Sequence, residues 1–494
     1  MIKIKKPNKH KKGSFKQPNN YRYNSLDIEG QVNTPNNRNI NQKKGPGKQP
    51  NDCRCNRLDI ERQVNTPDNG STQSETSLAY FENFILYGFN DLATNNFSGF
   101  AFSNNLGQTW TDGGSIPQNP GGFNSGDPVI AVDRNGIFYY GQVSGELIGG
   151  RQEGVISVST GRFNANGTIT MGLPQVVGRG QNPAGSNVGD QDKEWIAVGP
   201  DKNNPGNEAL YVAWRDLTNN NSIRFSKYGT GQNLTQLIAS KDIVNNGVLN
   251  SGAFIVIDSI GNIYVFYERV DNFFTIGQPN RSIRMAKSID GGNTFIDLPV
   301  SLPFAAAATT TLPCNRPSIG VDNARQIRMN EFPHASIGPD GTLYVVWNKG
   351  TVVGNTTFIN VFLAYSQDGG NNWNEVNITN NISFPFFPSV TANCKGAHIQ
   401  YNRFNDPNNV GGIGNGTFGL FMKTFSLNTG LSQERVISNP FSQVPITNTS
   451  RCYMGDYNQI IAGPGSCLLH SWGDNRNIVN GQPNPDVFFR LTSL

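Results

Sequence analysis

Seven times between residues 77 and 474 the chain repeats one pattern: an apolar run, a Gly/Asp/Asn turn, and a return run rich in Tyr, Phe, Val and Trp. The plainest copies are DPVIAVDRNGIFYYGQV (127–143), FIVIDSIGNIYVFYE (254–268) and HASIGPDGTLYVVWN (334–348). SLAYFENFILYGFND (77–91), EWIAVGP with ALYVAWRD (194–200 and 209–216), SVTANCKGAHIQYN (389–402) and QIIAGPGSCLLHSWGD (459–474) complete the set. These runs are too apolar and β-branched for exposed loops, and they lack the periodicity of amphipathic helices. A hairpin that is apolar on both faces has to bury each of them against a neighbour, so no copy is stable alone. After most hairpins a third alternating strand follows. The pattern predicts an all-β chain, a single β-propeller of seven blades over residues 57–494. Six blades is the alternative, if the 389–402 hairpin, with Lys and Gly in its turn, is an insertion.

The two ends of this array fit together. The last copy is followed by one further strand, DVFFRLTSL (486–494), and so lacks an outermost strand. LDIERQV (58–64), just before the first hairpin, is the segment expected to supply it and close the ring, removing an open edge. An earlier near-copy, LDIEGQV (26–32), belongs to a duplication: residues 11–37 match 43–69 at 19 of 27 positions. It is read as a spare copy, with strand donation to a second molecule, and hence self-association through 26–32, as the sharper reading.

Charge divides the chain. Residues 1–50 hold 12 Lys and Arg against two Asp and Glu, which leaves 28 against 34 in the rest. Residues 1–56 therefore read as a basic, duplicated, largely disordered arm, either simply solvated or attaching to an anionic polymer or surface. It has too few aromatics for a nucleic-acid stacking platform, so no nucleic acid is expected. No apolar run is long enough to span a membrane. The basic N-terminus is not followed by the apolar region of a standard secretory signal, which points to a cytoplasmic or leaderless surface-deposited protein. The six cysteines are scattered and do not by themselves require an oxidising compartment.

Within the array a shorter motif recurs as SNNLGQTW (103–110), SIDGGNTF (288–295) and SQDGGNNW (366–373). Ser103, Asn105, Gly107 and Trp110, then Ser288, Asp290, Gly292 and Phe295, then Ser366, Asp368, Gly370 and Trp373 occupy matching places. A short Asp or Asn side chain can bond the N–H groups of its own turn, Gly supplies a positive φ, and the aromatic fills space between sheets. The motif resembles the Asp-box (BNR) repeat of the sialidase-like propellers. That resemblance implies that the motif lies between the third and fourth strands, on the face away from the substrate, and that its carboxylates are structural.

Chemistry is then expected on the other face, where inner strands begin and second strands end. Entering the inner strands are Glu75, Asp127, Asp192, Glu194, Glu331, Asp456 and Tyr457. Leaving the second strands are Asp91, Arg215, Asp216, Glu268, Arg269, Asp406, Asp474 and Arg476. Paired carboxylates suit acid and nucleophile or base roles on a glycosidic bond, a carboxylate rim suits Ca2+, and arginines suit anionic sugars. No other cofactor is called for. The resemblance implies an Asp acid/base and a Tyr nucleophile, for which Asp127 and the pair Asp456–Tyr457 are the candidates. Glu75, Asp192, Glu194, Arg215, Glu268, Arg269, Asp474 and Arg476 are the candidate ligand-binding residues. The Arg-Ile-Pro motif of active sialidases does not occur in this chain; Arg215, Arg269 and Arg476 are the arginines that could replace it. The four histidines form no metal motif and read as core residues. The expected function is recognition of a glycan or anionic surface polymer, with exo-sialidase hydrolysis through an altered arginine clamp as the alternative.

Overall fold

The computed structural model describes residues 55, 57, 59–66, 71–93, 96–182, 186–320, 325–380, 384–404, 416–438, 442–444 and 452–493. The readings placed on residues 1–54, on Asp406 and on the 26–32 strand lie outside them.

Seven antiparallel sheets follow one another, each meeting the next through its inner strand. Blade 1 comprises Gln73–Phe81, Phe84–Asp91, Ser98–Ser103 and Thr111–Ser115. Blade 2 runs from Val129–Val132 through Ile137–Ile148 and Arg151–Phe163 to two short outer pieces. Blades 3 and 4 begin with Gln191–Pro200 and Leu249–Ile257, and blades 5 and 6 with His334–Ile337 and Phe386–Asn393. Blade 7 comprises Gln459–Ala462, Leu468–Val479 and Gln482–Thr492. The seven-blade count holds, and the 389–402 hairpin is a full blade.

Blades that radiate from an axis diverge outward, so wide side chains are needed between them. Each second strand supplies one: Tyr87, Tyr140, Trp214, Tyr267, Trp347, Tyr401 and Trp472 are all fully buried. The seven inner strands line an axial channel of about 1050 Å3.

Closure follows the sequence reading. Ile60–Gln63 pairs with Phe488–Leu491 as the fourth strand of blade 7. Cys55 is disulfide-bonded to Cys467 across 412 residues. Glu61 binds Arg476 and Arg490, and the Asn65 amide donates to Asp486 at 2.8 Å. A second disulfide, Cys314–Cys452, lies elsewhere, and none of the five described cysteines is free.

The three recurrent turns share one plan. In each, the serine hydroxyl donates to the Asn or Asp two residues on, at 2.8–2.9 Å, and accepts from the glycine N–H at 2.8–2.9 Å. The acidic or amide oxygen also accepts the N–H of the residue four positions on. Gly107 has φ 80°, and a Cβ there would lie 2.1 Å from the Phe489 ring of blade 7. Trp110 packs edge-on to that same ring, Phe295 against Phe225, and Trp373 against Phe266. The turns thus pin each blade to the one before it. Bonds from Asn372 and Ser366 hold Asp368 below the usual carboxylate range; in Asp290, bonds from Thr294 and Ser288 outweigh burial to the same end. All three turns join third to fourth strands.

Candidate functional site

The opposite end of the channel is shaped by a repeated backbone device. Where inner strands enter, the ladder slips by a bulge, between Ser74 and Ser77, Asp192 and Trp195, Ser251 and Phe254, and Phe386 and Ser389. Within these bulges Glu75, Lys193, Gly252 and Phe387 adopt positive φ, from 49° to 65°, and Asp127 does so at the start of blade 2. Left-handed conformations cost energy for residues other than glycine and concentrate at functional sites. Here they re-aim one side chain per blade toward the mouth. At Gly252 the side chain is missing because Phe332 takes its place: a Cβ would lie 2.4 Å from that ring.

The charged side chains meet around Lys193. Its ammonium lies 2.7 Å from Asp127, 2.8 Å from Asp456 and 3.6 Å from Glu75. Arg328 approaches from the far side, 2.7 Å from Asp456 and 3.7 Å from Glu75. The Asn90 amide donates to Glu75 at 3.0 Å and to the Tyr453 hydroxyl at 2.7 Å, and its carbonyl accepts the Asp127 N–H at 2.7 Å. The Arg328 guanidinium lies 4.2 Å from the centre of the Tyr453 ring.

Burial and position give these carboxyls different states. Burial, then the charge of Asp127, raises Glu75 well above the ordinary range. Burial, then Asp127, likewise raises Glu194. Burial works against Asp456 too, but Arg328 and Lys193 outweigh it and hold that group below the usual carboxylate range. Burial opposes the charge on Lys193, yet Asp127, Asp456 and Glu75 keep it well above the ordinary lysine value. The cluster therefore favours the protonated form of one acid and the ionised form of another, side by side.

Above it opens a pocket of about 520 Å3, counting the space open to solvent at its mouth. Asp127, Lys193, Glu194 and Asp456 form its polar side; Trp195, Phe254, Phe332, Phe387 and Tyr457 form its walls. Trp195, Phe254 and His334 stack with ring centres 4.1–5.4 Å apart and part the pocket from the channel beneath.

Of the sequence candidates, Glu75, Asp127, Asp192, Glu194, Asp456 and Tyr457 come together at this mouth. Tyr457 is placed as a wall: its hydroxyl donates to the Pro128 carbonyl at 2.9 Å, and burial, then Glu75 and Asp127, raises its pKa. Of the arginines watched in the sequence, Arg215 stays at the edge of the mouth as the cross-strand partner of Asp192, and the other two are elsewhere. Arg269 pairs with Asp271 on the surface. Arg476 holds Asp474 and the closing strand through Glu61. Arg215 bonds Asn221 and Ser251. Glu268 is buried beside Arg281, which also binds Glu331 at 2.9 Å. The arginine that reaches blade 1 is Arg328, delivered by a two-stranded ribbon, Ser318–Gly320 with Gln326–Arg328, inserted between blades 4 and 5. The Cys314–Cys452 bond and an Arg328 N–H to Cys452 carbonyl bond of 3.1 Å fasten this ribbon to the segment bearing Tyr453 and Asp456. The proposed Ca2+ rim is bridged by the Lys193 ammonium instead. Among the described residues no group of three His, Cys, Asp or Glu is arranged to hold a metal, and no helix is long and apolar enough to cross a membrane.

No protein-family model matches the sequence, and no curated protein does. Solved structures similar in chain course include an alpha-L-arabinanase of Penicillium chrysogenum, with TM-score 0.45 and 11% identity over 88% of this chain and 98% of that one. A polysaccharide lyase, the PL25 ulvan lyase, has TM-score 0.45 and 10% identity over 86% and 95%. The sialidase of Trypanosoma rangeli has TM-score 0.39 and 12% identity over 71% and 58%. At these values the likenesses supply no residue roles.

Proposed function

We propose that the protein recognises a glycan, taking one sugar residue into the mouth pocket. The observation that carries this reading is the pairing of aromatic walls with a buried polar cluster, built where inner strands enter with left-handed backbone at Glu75, Asp127, Lys193 and Phe387. Sugar rings present apolar C–H faces and a girdle of hydroxyls, and a pocket with flat aromatic sides and few fixed polar groups fits both.

A second reading, hydrolysis of the glycosidic bond, is favoured by the divided protonation of the carboxyls. Glycosidases need one protonated acid and one ionised carboxylate across the bond. Burial and the neighbouring charge of Asp127 favour the protonated form of Glu75, Asp127 faces the pocket, and Arg328 and Lys193 keep Asp456 charged. The proton would pass from Glu75 by way of Asp127 to the leaving oxygen while Asp456 attacks the anomeric carbon or activates water. Exo-sialidase action is the narrower form of this reading and requires arginines free to clamp a carboxylate.

The test is release of nitrophenol from a panel of aryl glycosides, sialoside included. Hydrolysis should persist through mildly acidic pH, because Asp456 stays ionised, and decline as pH rises through the raised Glu75 value. Asp456→Asn should lower kcat at least about 100-fold with the fold intact. Turnover that survives this substitution removes Asp456 from the chemistry, and absence of turnover with every glycoside leaves recognition alone.

A further inference from the structure

Four polar side chains of the pocket carry buried atoms with no hydrogen-bond partner among the described residues: both carboxyl oxygens of Glu194, Asn330 Nδ2, His334 Nε2 and Asn348 Oδ1. All four residues are between 1% and 8% exposed. Buried polar atoms are rarely left unsatisfied, and each one orphaned costs free energy that a ligand can recover. Their neighbours fix what each can offer. The Asn348 amide donates to the Pro385 carbonyl at 2.7 Å, which leaves Oδ1 as an acceptor. His334 Nδ1 accepts the Val390 N–H at 3.3 Å, so in the neutral ring Nε2 carries the hydrogen and is a donor. Burial keeps that ring neutral, with its pKa near 3. Asn330 Oδ1 accepts the Phe332 N–H at 3.5 Å, leaving Nδ2 as a donor.

Donors and acceptors thus line one small space together, as hydroxyl groups require, since each hydroxyl gives one hydrogen and accepts others. The cations that would serve an anionic sugar are engaged. Lys193 is bonded to Asp127 and Asp456, and Arg328 to Asp456. Arg316 has its guanidinium 5.9 Å from the Phe273 ring and is not among the pocket's lining residues. A substrate carboxylate entering here would share the pocket with the carboxyl groups of Asp127, Glu194 and Asp456.

Resting on the glycan reading above, we infer that the sugar residue in this pocket is uncharged and is recognised through its hydroxyls by Glu194, Asn330, His334 and Asn348. A site built to bond hydroxyls discriminates strongly against analogues that lack them.

Calorimetric titration of the full chain with methyl glycosides of neutral pentoses and hexoses, with the matching uronic acids and with a methyl sialoside, tests this. At least one neutral glycoside should bind, and its uronic acid should bind at least tenfold more weakly. Asn348→Leu and, separately, Asn330→Ala should each weaken neutral-sugar binding about tenfold or more while the variant remains folded by circular dichroism. A uronate or sialoside that binds as well as the neutral sugars overturns the inference and leaves the glycan reading standing. Neutral-sugar binding indifferent to both substitutions also overturns it. Failure of every sugar to bind the folded protein defeats the glycan reading itself.

Discussion

Lys193→Met should abolish any turnover and destabilise the protein by about 3–5 kcal/mol, the cost of leaving buried charges without their partner. The lysine side chain is 11% exposed and is shared by Asp127, Asp456 and Glu75. Methionine preserves the packing against Phe332 and Tyr457, whose rings lie about 6 Å from the ammonium, so the loss is electrostatic. Without the cation, Asp127 and Asp456 repel across the mouth, and the divided protonation of the cluster collapses. Chemical denaturation measures the stability. Adding Asp127→Asn to Lys193→Met should restore part of it, because one of the stranded charges is then gone. Unchanged stability in the single variant, or no recovery in the double one, would contradict the account.

Removal of the closing segment should have the other large effect. Replacing Cys55 and Cys467 by Ser is expected to cost about 2–4 kcal/mol. Deleting residues 1–66 also removes the Ile60–Gln63 ladder and the bonds of Glu61 and Asn65. It leaves the last strand, Gln482–Thr492, as an open edge. Open edges recruit other chains, so light scattering should show the truncated protein as dimers or aggregates, with a lowered melting temperature. A monomeric truncation that melts like the intact chain would mean that the ring does not depend on this closure. Deleting residues 57–66 alone asks whether the duplicated LDIEGQV segment can take the vacated place.

The blades were legible because both faces of every sheet are buried, so their strands read as apolar runs with an aromatic in the second strand. The closing strand was legible by subtraction, from a last blade one strand short. At the site, Glu75, Asp127, Glu194 and Asp456 could be picked out because inner-strand entrances face one end in any propeller. Lys193 was hidden between Asp192 and Glu194, in a bulge that strict alternation does not anticipate. Arg328 and Tyr453 stand outside the repeat, on an inserted ribbon and the segment disulfide-bonded to it, so no periodicity points to them. Arg269 and Arg476 misled because each pairs with a carboxylate two residues away along the chain, Asp271 just past its strand's end and Asp474 at a bulge. That spacing is itself the readable sign of a local ion pair. Asn330 and Asn348 gave no signal at all, since an amide without a partner can be recognised only once its surroundings are known.

Saturation-transfer NMR on the intact protein against a panel of mono- and oligosaccharides tests the central claim most directly, with Trp195→Ala as the paired variant. Trp195 forms both a wall of the pocket and the boundary to the channel. The account predicts transfer to at least one saccharide from the wild-type protein and its loss in the folded variant. Transfer that persists in the variant, or no transfer to any sugar from the folded wild type, would contradict it.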